Sequence, residues 1–195
     1  EPAYAQWIEG KFSNGPTVPD LMLRERFVSF NKLWKEKLGW ELYLELSPDD
    51  KYKLDNLHLL TSDFNPSDFE SQVLSSAIIF VDSLNKKGLE SQLAPTDSIV
   101  SEYLTQKQKD KLSDLASLDC LELFLKTRSH DCPDMIDFLR KLQLLRSTGV
   151  AHRKSRSGNN KAWEYFELDC KSHNEVLENI FKNLLKTLDT LDRFF

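Results

Sequence analysis

Apolar residues recur at helical spacing through most of this 195-residue chain, and that periodicity limits the possible folds more than any other feature. The clearest case is the stretch from Ser172 to the last residue, where apolar side chains stand three and four positions apart. Such spacing puts them on one face of an α-helix. Ser172 and Glu175 have the spacing of a capping box, which predicts where this helix begins. Its inward residues are predicted to be Val176, Leu177, Ile180, Phe181, Leu184, Leu188, Leu191 and Phe195.

The same spacing predicts a series of earlier helices. Asp20 is expected to cap the first of them and Gly39 to end it. Only six glycines occur in the chain, about half of ordinary usage, which also favours helices. We therefore predict an all-α helical bundle in a single domain, 1–195, with an N-terminal arm over 1–19 and the bundle over 20–195. Further helices are predicted from 66 to Gly88 and from about 96 to beyond Tyr103. Residues 105–128 are predicted to form one broken helix or two joined helices. Another helix is predicted from 134 to about 148.

Residues 40–46 are harder to assign. Apolar and polar side chains alternate there, which is a strand pattern. A lone strand has no evident partner nearby, so a helix is the preferred prediction. Ser47 and Pro48 are then expected to start another helix. Its apolar face would carry Tyr52, Leu54, Leu57 and Leu60.

Composition excludes several classes of protein. No apolar run reaches the roughly 20 residues that a membrane helix needs, and no secretory signal is present. The three cysteines, an odd number and widely spaced, are expected to be reduced thiols of a cytoplasmic protein. No phosphate-binding glycine loop or metal-binding motif occurs, so neither a metal nor a cofactor is predicted. The sequence begins at Glu1 and not at Met, which leaves open that it is a piece of a longer protein.

One basic stretch stands out from a chain whose net charge is -5. That overall charge argues against binding nucleic acid through bulk electrostatics. Seven basic residues nevertheless fall within 138–163, with no acidic residue among them. The later part of the stretch either contacts phosphates or forms a solvated loop. The aromatics that follow at 163, 165 and 166 could stack on bases, but are rather expected in the core, on a short helix or an extended piece. The candidate RNA-binding residues are Arg153, Lys154, Arg156 and Lys161.

Arg146 and His152 are the candidate catalytic residues. Arg146 continues the predicted inward stripe of Met135, Leu139 and Leu142, so it needs an anionic partner or an opening to a ligand. An intrachain ion pair with a carboxylate is the simpler explanation. On an ideal helix His152 would lie about 120° away from Arg146. A helix break at the intervening glycine would bring the two closer. A histidine there can exchange protons near neutral pH, or merely contact the end of the helix.

Late in an all-α chain, the segment Leu144-Leu145-Arg146 to Ala151-His152-Arg153-Lys154 resembles the HEPN superfamily. The hallmark of that family is an arginine, four to six arbitrary residues and a histidine, and the spacer here is five. Residues 26–34 resemble, more loosely, an early helix of some HEPN branches. Active members of the family commonly place a polar residue, often Asn, directly after the arginine, and Ser147 departs from that pattern in being shorter and without an amide. The clear resemblance covers roughly residues 130–195.

The resemblance implies a HEPN-like bundle with additional N-terminal helices, acting as a homodimer. It implies a metal-independent endoribonuclease or RNA-binding module of a prokaryotic defence or toxin–antitoxin system, with RNA and an antitoxin or other protein as partners. His152 would move a proton while the RNA 2'-hydroxyl attacks the adjacent phosphate, and Arg146 would stabilise charge on the phosphoryl oxygens. The alternative, which also stays open, is a non-catalytic helical module for dimerisation or protein interaction.

Overall fold

The computed structural model describes residues 18–46, 54–61, 65–148 and 159–195. Within these ranges the chain forms helices and no strands, which confirms the all-α class. Most of the predicted arm, 1–17, lies outside the described residues. The buried apolar side chains of the described ranges form one cluster. The helices are α1 Pro19–Leu38, α2 Pro66–Ala77, α3 Lys86–Ser91, α4 Ser98–Lys107, α5 Ser117–Lys126, α6 Pro133–Thr148, α7 Asn159–Phe166 and α8 His173–Phe194.

The first and last helices pack against each other and carry much of the core. Arg26 of α1 reaches α8, where it binds Asp189 and Asp192 at 2.8 Å each. Deeper in the same region, the ring of Trp34 contacts those of Phe124 and Phe195, at 6.1 and 4.9 Å between centroids. Helix α6 packs against both α2 and α7. No described helix has the combination of length and apolar character needed to cross a membrane.

Helix ends confirm two predictions and correct one. Gly39 ends α1 with a left-handed φ of 78°, a conformation that glycine adopts without a Cβ penalty. Ser172 and Glu175 form the predicted capping box at the start of α8. The prediction that Asp20 caps α1 is wrong, because Val18 occupies that position without a side-chain cap. Asp20 lies within the first turn, where an acidic side chain favours the positive end of the helix.

The capping box of α8 gives a direct stability prediction. Ser172→Ala removes the hydroxyl that accepts from the backbone N–H of Glu175 at 3.2 Å. The free energy of unfolding is expected to fall by about 1 kcal/mol, measured by urea denaturation. Ser71→Ala, at an exposed site within α2, is the matched control and should change it by no more than about 0.5 kcal/mol. Equal effects of the two substitutions would contradict a capping role for Ser172.

The helix preferred for residues 40–46 is not formed. Tyr43 instead pairs with Leu84 in an isolated antiparallel bridge, and the described residues around Tyr43 form neither a helix nor a strand. Leu44 N–H donates to the Ser83 carbonyl at 2.7 Å and Asn85 N–H to the Leu42 carbonyl at 2.8 Å. The alternating pattern does not set the burial here, because Leu42 and Tyr43 are both buried whereas Leu44 is 49% exposed. The residue that pairs with Tyr43 lies about 40 positions away in the sequence, which is why this bridge could not be foreseen.

Residues 54–60 do not form the predicted helix either. A short 3₁₀ turn, Leu54–Asn56, is followed by irregular backbone, and Ser47, Pro48 and Tyr52 lie outside the described residues. Side chains of other helices bind this backbone instead. His58, Leu59 and Leu60 donate their N–H groups, in that order, to Gln72 of α2, Asp20 of α1 and Asn174 of α8.

The helix predicted from residue 66 to Gly88 is interrupted once, at 83–85, because α2 continues directly into a π turn before that interruption. Helix α2 ends at Ala77, a π turn covers Ile78–Asp82, and α3 starts afresh at Lys86. Gly88 lies inside α3 instead of ending a helix. Its lack of a side chain is needed there, because a Cβ would come within 2.7 Å of the Trp40 ring.

Candidate functional site

Arg146 lies near the carboxyl end of α6, at the border between core and solvent. The predicted inward stripe is confirmed, since Met135, Leu139 and Leu142 are buried. Arg146 does not continue this stripe into the core: 32% of its side chain is exposed, and Leu145 is the buried residue at this end. A long aliphatic stem allows an arginine to leave an apolar face and keep its charge in water. Arg146 is therefore open to a ligand from solvent.

The guanidinium of Arg146 is paired with the carboxylate of Asp82. Asp82 is the last residue of the π turn, and 36% of its side chain is exposed. A pair this exposed contributes little to stability, about 0–1 kcal/mol. Arginine has five donors, and the contact with Asp82 involves Nη1. No other hydrogen bond of this guanidinium is found among the described residues, so donors remain for an anion.

The π turn explains why Asp82 stands where it does. Ser83 N–H donates to the carbonyl of Ile78, five residues back, at 3.0 Å, and its hydroxyl donates to Ile79 at 2.6 Å. A π turn is wider than an α turn and often marks functional sites. The preceding residues Ile79, Phe80 and Val81 are buried. Asp82 is the first carboxylate after this apolar run, and that position can be read from the sequence. The contact of Asp82 with α6 cannot be read from the sequence.

The other predicted site residues, apart from Lys161, belong to the segment between α6 and α7. His152, Arg153, Lys154 and Arg156 lie outside the described residues, so their relation to Arg146 stays a prediction. Lys161 is described and exposed, on the first turns of α7.

The neighbours of the predicted site residues are mostly engaged in local structure. The hydroxyl of Ser147, next to Arg146, donates to the carbonyl of Leu144 at 2.9 Å. Of the three aromatics on α7, Phe166 is buried and Trp163 is half-buried, as expected of core residues. Tyr165 is 43% exposed, and the ammonium of Lys141 lies 5.9 Å from its ring centroid.

The first basic residues of the stretch are neutralised by acids from elsewhere in the fold. Arg140 binds Asp119 at 2.6 Å and Glu122 at 2.7 Å, both on α5. Lys141 stands 3.9 Å from Asp137, one turn back on α6. The absence of acidic residues from this part of the sequence therefore does not make its surface uniformly basic. Arg140 belongs to a structural network.

That network joins three helices. Tyr103 of α4 donates its hydroxyl to Glu122 at 2.7 Å and also lies 3.3 Å from Asp119. Burial by itself would raise the pKa of Glu122, but hydrogen bonds from Lys126, Tyr103 and Arg140 outweigh it and lower that pKa to about 2. For Asp119, burial would likewise raise the pKa, but hydrogen bonds from lysine and arginine outweigh it and lower that pKa. Both carboxylates are thus ionised in the folded chain at neutral pH.

The lowered pKa of Glu122 predicts sensitivity to acid. Its ordinary value is 4.5, so the unfolded chain binds its proton first as pH falls. The contribution of Glu122 to stability is complete above about pH 4.5 and is lost as pH falls towards 2. Glu122→Gln should lower the free energy of unfolding by about 1–2 kcal/mol at pH 7, allowing for partial solvent exposure, and have a smaller effect at pH 3. Urea denaturation at both pH values measures this.

The control for this prediction is Glu178→Gln, which breaks an exposed pair with Lys182 on α8. It should change the free energy of unfolding by less than about 0.5 kcal/mol at either pH. An effect of Glu122→Gln that is the same at pH 3 and pH 7 would contradict the role given to its ionised form.

The described histidines are held by structural contacts. His173 stacks on Phe69 and His130 on Phe194, with ring centroids 4.4 and 4.0 Å apart. His58 lies 3.5 Å from Asp68 through Nε2, and its Nδ1 lies 3.1 Å from the Gln72 amide nitrogen. Both of its ring nitrogens are engaged.

No group of three or more histidine, cysteine, aspartate or glutamate side chains with the arrangement of a metal site occurs in the part of the chain that the structure describes. The cysteines Cys120, Cys132 and Cys170 are unpaired. Comparisons with protein-family models, with curated proteins and with solved structures gave no match for this chain.

Proposed function

We propose that the chain is a HEPN-like RNA-processing domain, a metal-independent endoribonuclease or RNA-binding module that acts as a homodimer. Its setting would be a cytoplasmic prokaryotic defence or toxin–antitoxin system, with an antitoxin or other protein as a further partner. The supporting observation is the position of Arg146: solvent-accessible, at the end of α6, and held by a single carboxylate. It stands six residues before His152 in the motif that resembles the family.

In this proposal the chemistry is an internal transfer at phosphorus. His152 accepts the proton of the RNA 2'-hydroxyl as that oxygen attacks the adjacent phosphate, the bond to the 5'-oxygen breaks, and the 5'-oxygen takes up a proton from solvent. Arg146 offers its remaining N–H donors to the phosphoryl oxygens, on which charge builds up in the transition state. The products are a 2',3'-cyclic phosphate and a free 5'-hydroxyl. Arg153, Lys154, Arg156 and Lys161 would hold neighbouring phosphates.

A second candidate, a helical interaction module without chemistry, is favoured by the intrachain partner of Arg146. If Arg146 served only structure, an ion pair such as that with Asp82 is what it would make. The partial exposure of the pair keeps the guanidinium reachable from solvent, which the RNA proposal requires.

The test is incubation of the purified chain with single-stranded RNA in the presence of EDTA, followed by analysis of product ends and of solution mass. Cleavage to 2',3'-cyclic phosphate and 5'-hydroxyl ends by a dimer supports the endoribonuclease. Saturable RNA binding without cleavage supports the binding module. Absence of both, even at low salt, would leave the interaction module as the better explanation.

A further inference from the structure

Of the three aromatic residues of α7, Tyr165 alone is exposed. Trp163 is half-buried and Phe166 is buried, whereas 43% of Tyr165 is open to solvent. The ring of Phe166 stands almost perpendicular to that of Tyr165, at 81° and with 5.0 Å between the centroids. A buried ring thus supports an exposed one, and α7 holds one aromatic face at the surface of the fold.

Tyr165 lines two clefts, of about 410 and 290 Å³. The larger cleft also contains two aspartates and one lysine, so its charge is negative on balance. In the smaller cleft the charged side chains are Glu167 and Lys171, which form an ion pair with each other. The smaller cleft is therefore neutral as a whole. Its volume is near the lower end of small-molecule sites, about 300–1,000 Å³, which suits a single planar group beside the ring.

Two asparagine amides supply polar groups to the smaller cleft. Asn179 and Asn183 stand one turn apart on α8. Nδ2 of Asn183 donates to the backbone carbonyl of Asn179 at 2.9 Å, and no other hydrogen bond of these two side chains is found among the described residues. An amide has both a donor and an acceptor, so it can bind the polar edge of a base whose face rests on an aromatic ring.

Lys161 is a neighbour of Tyr165 on α7. Four positions separate the two residues, which brings their side chains together on one face of a helix. Lys161 is exposed and has no ion-pair partner within the described part of the chain, although Glu164 follows three positions later. Sites for single-stranded nucleic acid combine a cation for the backbone with an aromatic ring for the base.

Two acidic residues near Tyr165 limit where a strand can run. Burial, together with the charges of Asp137 and Asp134, raises the pKa of the Tyr165 hydroxyl. Lys141 stands 3.9 Å from Asp137 and offsets part of that charge. Because a base is uncharged, these carboxylates do not oppose stacking, but they repel phosphates. The phosphates of a bound strand are therefore expected on the side of Lys161.

We infer that Tyr165 and the smaller cleft form a base subsite for single-stranded RNA. One base stacks on the ring of Tyr165 and its polar edge meets the amides of Asn179 and Asn183, while Lys161 binds the adjacent phosphate. The inference rests on the proposed RNA-processing function and adds to it the place where a base is held.

The base in this subsite is not that of the cleaved nucleotide. The ammonium of Lys141 lies 5.9 Å from the centroid of the Tyr165 ring. Lys141 precedes Arg146 by five residues, which is about 7.5 Å along α6 and about 140° around it. Tyr165 and Arg146 thus serve different nucleotides of one strand.

The first probe is an octa-adenylate with 2'-O-methyl groups, which cannot be cleaved through its 2'-oxygens, and the second is an abasic strand of the same length and charge. Tyr165→Ala should weaken binding of the octa-adenylate about 5- to 100-fold and leave binding of the abasic strand unchanged, whereas Tyr165→Phe should stay within about twofold of the wild type. Lys161→Ala should weaken binding of both strands and lower the slope of log affinity against log salt by about one. Tyr165→Ala should leave that slope unchanged. Fluorescence anisotropy over a range of salt concentrations measures these affinities.

Ile99→Ala is the matched control, because it shortens a side chain of similar exposure, 41%, on α4. It should bind both strands like the wild type. Wild-type affinity of Tyr165→Ala for the octa-adenylate, or equal weakening of both strands, overturns the subsite and leaves the proposed function standing. Absence of binding of either strand to the wild type, even at low salt, overturns both. Adenosine monophosphate that displaces the octa-adenylate at equal concentration would identify a free nucleotide as the occupant, and would overturn the subsite alone.

Discussion

His152→Ala is expected to reduce the rate of RNA cleavage by about 10²- to 10⁴-fold, the usual cost of removing a general acid or base. Arg146→Ala should reduce it by about 10²- to 10³-fold, because it removes a donor aimed at charge that develops in the transition state. Single-turnover cleavage of a labelled RNA, with enzyme in excess, measures both rates. Removing both side chains should cost less than the product of the single effects, because the two groups act on one transition state.

Two further variants separate chemistry from loss of charge. Arg193→Ala removes an exposed arginine near the end of α8 and should leave the rate unchanged. Arg146→Lys keeps the charge but not the planar set of donors, so it should recover only part of the activity. Unchanged rates in both His152→Ala and Arg146→Ala would exclude the catalytic proposal.

Asp82→Asn addresses how Arg146 is held. The substitution removes a negative charge beside the guanidinium, which should tighten RNA binding by about fivefold at low salt, or about 1 kcal/mol for neighbouring charges near a surface. It also removes the group that orients the guanidinium, so the cleavage rate at saturating RNA should fall. The free energy of unfolding should change by no more than about 1 kcal/mol, since the pair is exposed. If Asp82 were purely structural, Asp82→Asn would change the free energy of unfolding without both tightening RNA binding (a lower KM) and slowing cleavage (a lower kcat).

The helical fold could be predicted from the sequence because its signals are local. The stripes of α6 and α8, the capping box at Ser172 and the stop at Gly39 each depend on residues within one or two turns. In two segments where the prediction was wrong, a distant part of the chain decided the outcome. Residues 42–44 are not helical because they pair with 83–85, and 57–60 are irregular because α1, α2 and α8 bind their backbone.

The candidate site was predictable only in part. The motif identified Arg146, and the need of a guanidinium for an anion anticipated an intrachain carboxylate. Nothing in the sequence indicated which carboxylate, because Asp82 precedes Arg146 by 64 positions and reaches it through a π turn. The positive charge of the basic stretch was overestimated for the same reason, since the acids that neutralise Arg140 are on another helix.

Phe80→Ala is expected to lower the free energy of unfolding by about 3–5 kcal/mol, a large part of the roughly 5–15 kcal/mol typical of a domain. Phe80 is fully buried in the π turn, with its ring centroid 5.0 Å from that of Phe27 and 5.9 Å from that of Tyr43. Chemical denaturation measures the loss. Val28→Ala, at a site 61% exposed on α1, is the control and should cost less than about 0.5 kcal/mol.

If Phe80→Ala does not fold, Phe80→Leu is the substitute for this measurement. Its free energy of unfolding should lie between those of the wild type and Phe80→Ala.

The effect of Phe80→Leu on the site follows from how weak the Arg146–Asp82 pair is. An exposed ion pair worth about 0–1 kcal/mol can orient a guanidinium at the end of a flexible side chain, but it contributes little to fixing the backbone that carries its carboxylate. The position of Asp82 is set by the π turn, in which Ile79, Phe80 and Val81 are all buried. Phe80→Leu should therefore lower RNA cleavage under conditions where the variant is fully folded, whereas Val28→Ala should not. Equal cleavage by these two folded variants would show that Asp82 is held by something other than the π turn.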